Sequence, residues 1–335
     1  MPKPYVVEFG NMTMNTSVSN DKLLPNQFVE IKNVDMASNG TFRKRFGLSD
    51  LASGDVPETA INAIVPTYLG KGFGNVRRDI VAHGDTDFYT ITSETSNWGS
   101  SIGGNANNSI GQRVAWGIDE DAETAVYITK NPSGPFRLSS IDDGYLRIGS
   151  TNDASNPFLN AFAVEFHLDK LWVGHVTDVS ANEFADRLYW SVTGDDNDFY
   201  SSGSGFINIR ASGGGTGGTV EGIRGLRKYR ERLYIGSSSA LGVLTGNTSA
   251  TFGYTNIRPQ NHINGSTMYV VGDFLFYVDV DGIWQFNGNS AINISDRDMR
   301  DRFLTLVNSD IENASATWST SRSMYGVFFP TVGEL

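Results

Sequence analysis

Phe274-Leu275-Phe276-Tyr277-Val278-Asp279-Val280-Asp281-Gly282-Ile283-Trp284-Gln285-Phe286-Asn287-Gly288 is two apolar, aromatic-rich runs joined by Asp-Gly. Antiparallel strands joined by a tight turn need positive φ in that turn, and Asp-Gly supplies it at low steric cost. The stretch therefore predicts a β-hairpin whose strands are buried. The same composition recurs elsewhere: Leu171–Val176, Arg187–Val192, Arg232–Gly236 and Ser323–Phe329 are short runs of β-branched, aromatic and aliphatic residues bounded by Gly, Asp, Asn or Ser.

Several of these runs share a grammar of a polar or charged pair, an apolar residue, an aromatic, then a β-branched or small residue. Asp169-Lys170-Leu171-Trp172-Val173, Asp186-Arg187-Leu188-Tyr189-Trp190, Glu231-Arg232-Leu233-Tyr234-Ile235 and Gly272-Asp273-Phe274-Leu275-Phe276 align in this way. A charged turn followed by a buried strand, repeated, predicts blade-like β units that bury their faces against one another. Trp172, Tyr189, Tyr234, Phe276 and Trp284 are then expected in the core. One helix is expected, with Ser295 as its N-cap, Asp298 three residues on, and Met299, Phe303, Leu304 and Val307 on one face. The fold class is all-β: a β-propeller-like domain over 51–335, preceded by an N-terminal arm with the first strands over 1–50, and carrying one short helix near the C-terminus. Lone helix signals among many strands exclude a doubly wound α/β fold.

The chain has 335 residues, 26 Lys and Arg against 37 Asp and Glu, a formal charge of −11, and no cysteine. Disulfide scaffolds and thiolate metal sites are thereby excluded. An acidic chain makes a poor nucleic-acid clamp, which needs clustered Lys and Arg to neutralise phosphates, but it suits a passage to which DNA should not stick. Neither an export signal at Met1-Pro2-Lys3-Pro4 nor an apolar run long enough to cross a membrane is read from the sequence.

The chemistry-bearing motifs are weak. Gly99-Ser100-Ser101-Ile102-Gly103 matches a nucleophile elbow, but a Gly/Asn/Ser loop follows it where a helix is needed. Gly213, Gly215 and Gly218 match a dinucleotide fingerprint without a helix to receive the pyrophosphate. Asp195-Asp196-Asn197-Asp198 and Asp279 with Asp281-Gly282 have the flavour of calcium loops without the full ligand pattern, and read better as solvated turns. His83, His167, His175 and His262 are scattered and read as structural. No catalytic residue, cofactor or metal site is expected.

Two basic clusters interrupt the acidic background: Arg43, Lys44 and Arg45, and Arg224, Arg227, Lys228, Arg230 and Arg232. They read either as an interface for an acidic surface or phosphate, or as solvated strand edges whose charge blocks wrong pairing. On either reading the second cluster is exposed, and replacing Arg227, Lys228 and Arg230 with Glu is expected to leave the fold intact.

The order of further motifs resembles the bacteriophage tail nozzle (tail tubular protein B-like) and related short-tailed-phage tail-hub proteins. The residues are Gly10 to Thr16, Leu23-Leu24-Pro25-Asn26-Gln27, Asn33-Val34-Asp35 and Gly40-Thr41-Phe42-Arg43-Lys44-Arg45-Phe46-Gly47-Leu48. Arg187 to Ser191 with Gly194-Asp195 and Asp198-Phe199, then Leu233-Tyr234-Ile235, then Asp281 to Trp284 with Asn287-Gly288, continue it. Phe46 stands where the family commonly has Pro. The resemblance implies a non-enzymatic virion protein with no cofactor. It would be made in the host cytoplasm and built into a homo-oligomeric ring, six-fold by analogy, below portal and adaptor around the DNA-exit channel, in contact with other tail proteins or fibres. A glycan-binding or glycan-hydrolysing propeller is the alternative.

Overall fold

The computed structural model describes the backbone of strand segments between 13 and 147 and of residues 158–334 apart from 179, 196–197, 210–221, 261, 296–302, 320–323 and 330–332. Side chains are described for Tyr89 and, within 161–329, for the same residues less 319 and 324. Two short pairs occupy the N-terminal region: Thr13–Met14 with Gln27–Phe28, parallel, and Val34–Met36 with Phe42–Lys44, antiparallel. Most of the expected arm, and the loops at 99–111 and 211–218, lie outside the described residues.

Six antiparallel sheets follow among the described residues, each built from strands consecutive in sequence. The first holds Ile61–Gly70, Val76–Gly84 and Phe88–Ile91. The second holds Val114–Asp119, Thr124–Thr129, Phe136–Ser140 and Gly144–Arg147. The third is Phe158–His167, Lys170–Asp178, Glu183–Trp190 and Gly205–Asn208. The fourth is Ile223–Tyr229, Arg232–Ser237, Ala240–Thr245 and Gly253–Pro259. The fifth is Asn264–Val271, Phe274–Asp279, Gly282–Phe286 and Ala291–Asn293. The sixth is Ser315–Ser319, Met324–Phe329 and Gly333–Glu334. The opening strand of each sheet lies beside the opening strand of the next, so these strands form the innermost layer of a propeller-like, all-β fold.

The repeated grammar has a local cause. In the third sheet His167 pairs with Lys170 across Leu168 and Asp169, whose φ values are +54° and +53°. In the fourth, Tyr229 pairs with Arg232 across Arg230 and Glu231, at +47° and +55°. Two successive left-handed residues form the type I′ turn that matches strand twist. In the fifth sheet Val271 pairs with Phe274 across Gly272-Asp273. The charged pairs therefore mark the turn into the second strand of a blade. Asp186-Arg187 is different, because it sits inside the third strand of its blade; there Asp178 makes the preceding turn by accepting the N–H groups of Ser180 and Asn182.

The hairpin at 274–286 forms with Asp279 paired to Gly282. Its two loop residues are Val280 and Asp281, and Gly282 takes φ +139° as the first residue of the returning strand, one place later than the sequence suggests. Buried Asp279 explains the shift: its Oδ1 accepts from Asp281 N at 2.8 Å, Gly282 N at 3.1 Å and Trp284 Nε1 at 2.7 Å. That carboxylate organises a turn and an indole.

Apolar faces close between blades. Trp172, Leu188 and Trp190 of the third pack with Ile223, Leu226, Leu233, Ile235 and Leu244 of the fourth. Tyr229, Tyr234, Leu241 and Val243 of the fourth pack with Met268, Leu275, Tyr277, Trp284 and Phe286 of the fifth. Val278 meets Phe303, Ile311, Ala314 and Phe329 on the side of the sixth. Trp172, Tyr189, Tyr234 and Trp284 are buried as expected, while Phe276 is half-buried and stacks on Tyr325 at 5.2 Å.

The expected helix falls mainly on 296–302, outside the described residues, and Phe303, which follows them, is helical. A further helix is Asn308–Asn313, and Asp310 Oδ2 accepts the N–H of Val307 at 2.9 Å. Ser295 is tied back into the fifth blade, its hydroxyl accepting from Ile283 N at 2.9 Å and bonding Asn293 Oδ1 at 2.9 Å. Phe303 is buried as that face requires, whereas Leu304 and Val307 are exposed. Met299 lies outside the described residues.

At the fourth and fifth blades the innermost strands touch through backbone. A methyl group on Gly225 would fall against Gly265 Cα and Met268 Sδ, and one on Gly265 against Arg224 O and Gly225 Cα. Gly225→Ala or Gly265→Ala should each destabilise the chain by about 2 kcal/mol or more, the overpacking range. Urea unfolding checks this, and Gly272→Ala, in open space at φ +55°, should cost only about 1–2 kcal/mol of left-handed strain.

Candidate functional site

The second basic cluster falls on the innermost strand Ile223–Tyr229 of the fourth blade and on the turn after it. Strand alternation would give such a segment one face in each interblade seam, and the side chains use both. Arg227 reaches the third blade, where its Nη1 lies 3.3 Å from Glu165 Oε2, and the fifth, where its Nε donates to Met268 O at 3.1 Å. Glu165 is buried; it also accepts from Phe166 N at 3.1 Å and Lys228 N at 3.3 Å. Burial raises the Glu165 carboxyl above its ordinary range, and the Arg227 guanidinium opposes that rise.

At the end of the fold where this strand begins, Arg224 Nη1 donates to Glu312 Oε1 at 2.9 Å, and its Nη2 approaches His262 Nε2 at 3.4 Å. His262 Nε2 is 3.6 Å from the same Glu312 oxygen. Beside it, His175 Nδ1 meets Ile223 O at 3.2 Å and its Nε2 meets Glu183 Oε1 at 2.5 Å, with Phe162 stacked on the ring at 4.2 Å. At the opposite end Arg230 donates to Asn287 O at 2.8 Å and Asp273 O at 3.1 Å, and the Tyr229 hydroxyl also donates to Asp273 O.

The basic cluster thus sorts into two kinds of group. Arg224 and Arg227 are half-buried and bind partners in neighbouring elements, so the expectation of an exposed patch is corrected for these two, while Arg230 is exposed and donates to Asn287 O and Asp273 O of the fifth blade. Lys228, 3.6 Å from Glu231, and Arg232 are exposed. Replacing Arg227 with Glu would set a carboxylate beside buried Glu165, and replacing Arg230 would remove the Arg230 donor to Asn287 O and one of two donors to Asp273 O, so the triple change is expected to destabilise the fold. Arg43 and Lys44 lie on the strand Phe42–Lys44, and their side chains, with all of Arg45, fall outside the described residues.

The opening strands of the six sheets carry Arg224, Arg227 and Lys228 against Asp119 and Glu165. No group of three or more His, Asp and Glu with metal-binding geometry occurs among the described residues. Asp198 accepts the N–H groups of Tyr200 and Ser201, which is turn chemistry. The Gly-x-Ser-x-Gly match and the glycine fingerprint lie outside the described residues.

Glu165, His175, Glu183, His262 and Glu312 went unread in the sequence as site residues. A buried Glu inside an otherwise apolar strand, Phe162 to Phe166, was the available signal for Glu165; the others join partners too distant in sequence to be matched.

No protein-family model matches the chain, and no curated protein matches it by sequence. In fold it is similar to the extracellular domain of a hybrid two-component system from B. thetaiotaomicron, with TM-score 0.50 and 11% identity over 83% of this chain and 32% of that one. The chain thus spans about a third of that protein's length. It is also similar to a gluconolactonase from Xanthomonas campestris, with TM-score 0.44, 9% identity and coverage of 78% and 81%. BamB from Moraxella catarrhalis gives TM-score 0.37, 14% identity and coverage of 82% and 74%. These likenesses concern the fold alone.

Arg227→Met should cost about 3 kcal/mol, since removing one partner of a buried pair strands the other. A raised Glu165 pKa means stability is fully present below the unfolded value of 4.5 and lost as pH rises through the folded one. The Arg227→Met deficit should therefore be largest near neutral pH and shrink in acid, and Glu165→Gln in the same chain should recover part of it in denaturant titrations.

His167 provides a second pH signature. It is buried at the end of the third blade's innermost strand, its Nδ1 lacks a hydrogen-bond partner, and burial with Lys228 nearby pushes it down to about 4 from 6.5. The folded state holds it neutral, so stability is complete above the unfolded value of 6.5 and is lost as pH falls toward about 4. His167→Gln should flatten that part of the melting-temperature profile relative to wild type.

Proposed function

We propose that the chain is a virion structural protein, a subunit of the phage tail nozzle or hub ring that forms or closes the DNA-exit channel below portal and adaptor. The observation that carries this reading is the order of nozzle-like motifs from Gly10 to Gly288 in a chain whose propeller-like fold is the one that resemblance implies. In this reading the protein is not an enzyme, needs no cofactor, assembles as a homo-oligomer, six-fold by analogy, in the virion tail, and meets adaptor and fibre proteins at its rim. Copies bearing −11 each repel on closing a ring, and the exposed Lys228, Arg230 and Arg232 heads are cations that lower that repulsion.

A second reading, a glycan-binding or glycan-hydrolysing propeller, draws on the half-exposed Arg224, His262 and Glu312 gathered at one end of the innermost strands. Such a position suits ligand contact in propellers.

Negative-stain images of the purified chain, alone and mixed with portal–adaptor complexes, separate the two. The nozzle reading expects rings that cap the adaptor; a monomer that ignores the complex and cleaves cell-surface glycans overturns it. Lys228→Glu with Arg232→Glu should weaken ring formation more at low salt than at high, because screening limits the added repulsion to about 8 Å at physiological ionic strength.

A further inference from the structure

Arg187 lies in the third strand of the third blade, and aromatic rings surround its guanidinium. Its Cζ is 3.6 Å from the centroid of the Phe184 ring, 4.4 Å from that of Phe206 and 5.8 Å from that of Tyr189. Nη1 donates to the Tyr189 hydroxyl at 3.0 Å, and Phe206 packs on Tyr189 at 5.2 Å. Strand pairing builds this cluster: Arg187 stands opposite Asn208 and Tyr189 opposite Phe206, both partners belonging to the outermost strand of the blade. Rings and hydroxyl together fix the plane of the guanidinium.

The cluster holds no counter-ion. Among the described residues no carboxylate pairs with Arg187. Hydrogen bonds from Asn182 and Ser180, and least of all the Arg187 charge, hold the Asp178 carboxyl below its ordinary range. Both Asp178 oxygens are committed to Ser180 and Asn182 of their own turn. Arg187 Nε is enclosed without a partner, whereas Nη2 is neither enclosed nor bonded. A guanidinium pinned on rings, unpaired and open at Nη2 is arranged to receive a carboxylate. Phe206, 47% exposed beside it, offers an apolar contact around that ion pair. Arg flanked by aromatic anchors is the composition of an interface hot spot.

We propose that this clamp is a docking point for a second copy of the chain: an exposed Asp or Glu of one copy enters the Arg187 fork of the next, and an apolar neighbour of that residue covers Phe206. The inference rests on the ring reading for its occupant. Charge selects that occupant, since every copy carries −11 and shows free-standing carboxylates such as Glu231 and Asp273, 88% and 87% exposed, on its turns. Like-charged copies associate only where pairs of opposite charge cross the contact. Position agrees, because an outermost strand is the part of a propeller that meets a neighbour standing beside it.

Sedimentation velocity of the whole chain over a concentration series tests this, with Arg187→Gln and Phe206→Ser compared with wild type. The wild type should self-associate, and each variant should weaken association by about tenfold or more, the effect of losing a hot-spot residue. A mixture of nitrogen-15-labelled and unlabelled Arg187→Lys chains, treated with a water-soluble carbodiimide, should form an amide between the introduced amine and an Asp or Glu of the other isotope. A wild type that stays monomeric overturns the proposal, and so does association that both variants leave unchanged. If Arg187→Gln fails to fold, Phe206→Ser, which alters an exposed ring, still decides. Rings that cap the adaptor equally well in both variants sink the clamp and leave the nozzle reading standing. Copies that pair through Arg187 but ignore portal–adaptor complexes do the reverse. A monomeric chain whose Arg187 side-chain resonances shift with glucuronic acid gives the clamp to an acidic sugar and overturns the second copy as its occupant.

Discussion

The closeness of the innermost strands governs the rest of this structure. Where the fourth and fifth blades meet, Gly225 and Gly265 touch through main chain, with Met268 filling the space beside them. Blades that converge so tightly leave no room for side chains on the axis side of that contact, so apolar bulk is displaced outward along each sheet. The interblade clusters around Trp172, Tyr234 and Trp284 are the consequence, since a sheet face that cannot be covered at its inner edge must be covered further out. The same convergence brings polar groups from three blades within reach of one strand, which is why Ile223–Tyr229 bonds to so many partners.

That strand shows how an acidic chain uses a local excess of cations. Arg227 bridges Glu165 of one neighbour and Met268 O of the other, while Arg224 reaches Glu312 and His262 at one end and Arg230 reaches Asn287 O and Asp273 O of the fifth blade at the other. Guanidinium groups suit such seams because they offer several donors in a fixed plane and keep their charge when partly desolvated. The buried Glu165–Arg227 pair is not a source of stability relative to an apolar pair of equal volume, since desolvation offsets much of the attraction. What it supplies is register: two backbone N–H groups, of Phe166 and Lys228, are satisfied by the same carboxylate only when the blades are aligned.

The fold was largely legible because hairpin chemistry is local. The 274–286 hairpin, the strands after Asp169 and Glu231, and the all-β class followed from turn residues beside apolar runs. Where the reading failed, a non-local or side-chain term intervened. Asp186-Arg187 has the composition of a turn, but Asp178 had already made that turn by capping Ser180 and Asn182. Leu304 and Val307 have the spacing of an apolar helix face, but both are exposed. The basic cluster was visible as charge and invisible as contact, since Arg224 meets a residue 88 positions away and Arg227 one 41 positions away.

Location of charge matters more here than its sum. Within a net charge of −11, the opening strands carry Arg224, Arg227 and Lys228 beside Asp119 and Glu165. Two of those three cations are bonded across interblade seams, so their field reaches the centre weakened by partners such as Glu165 and Glu312.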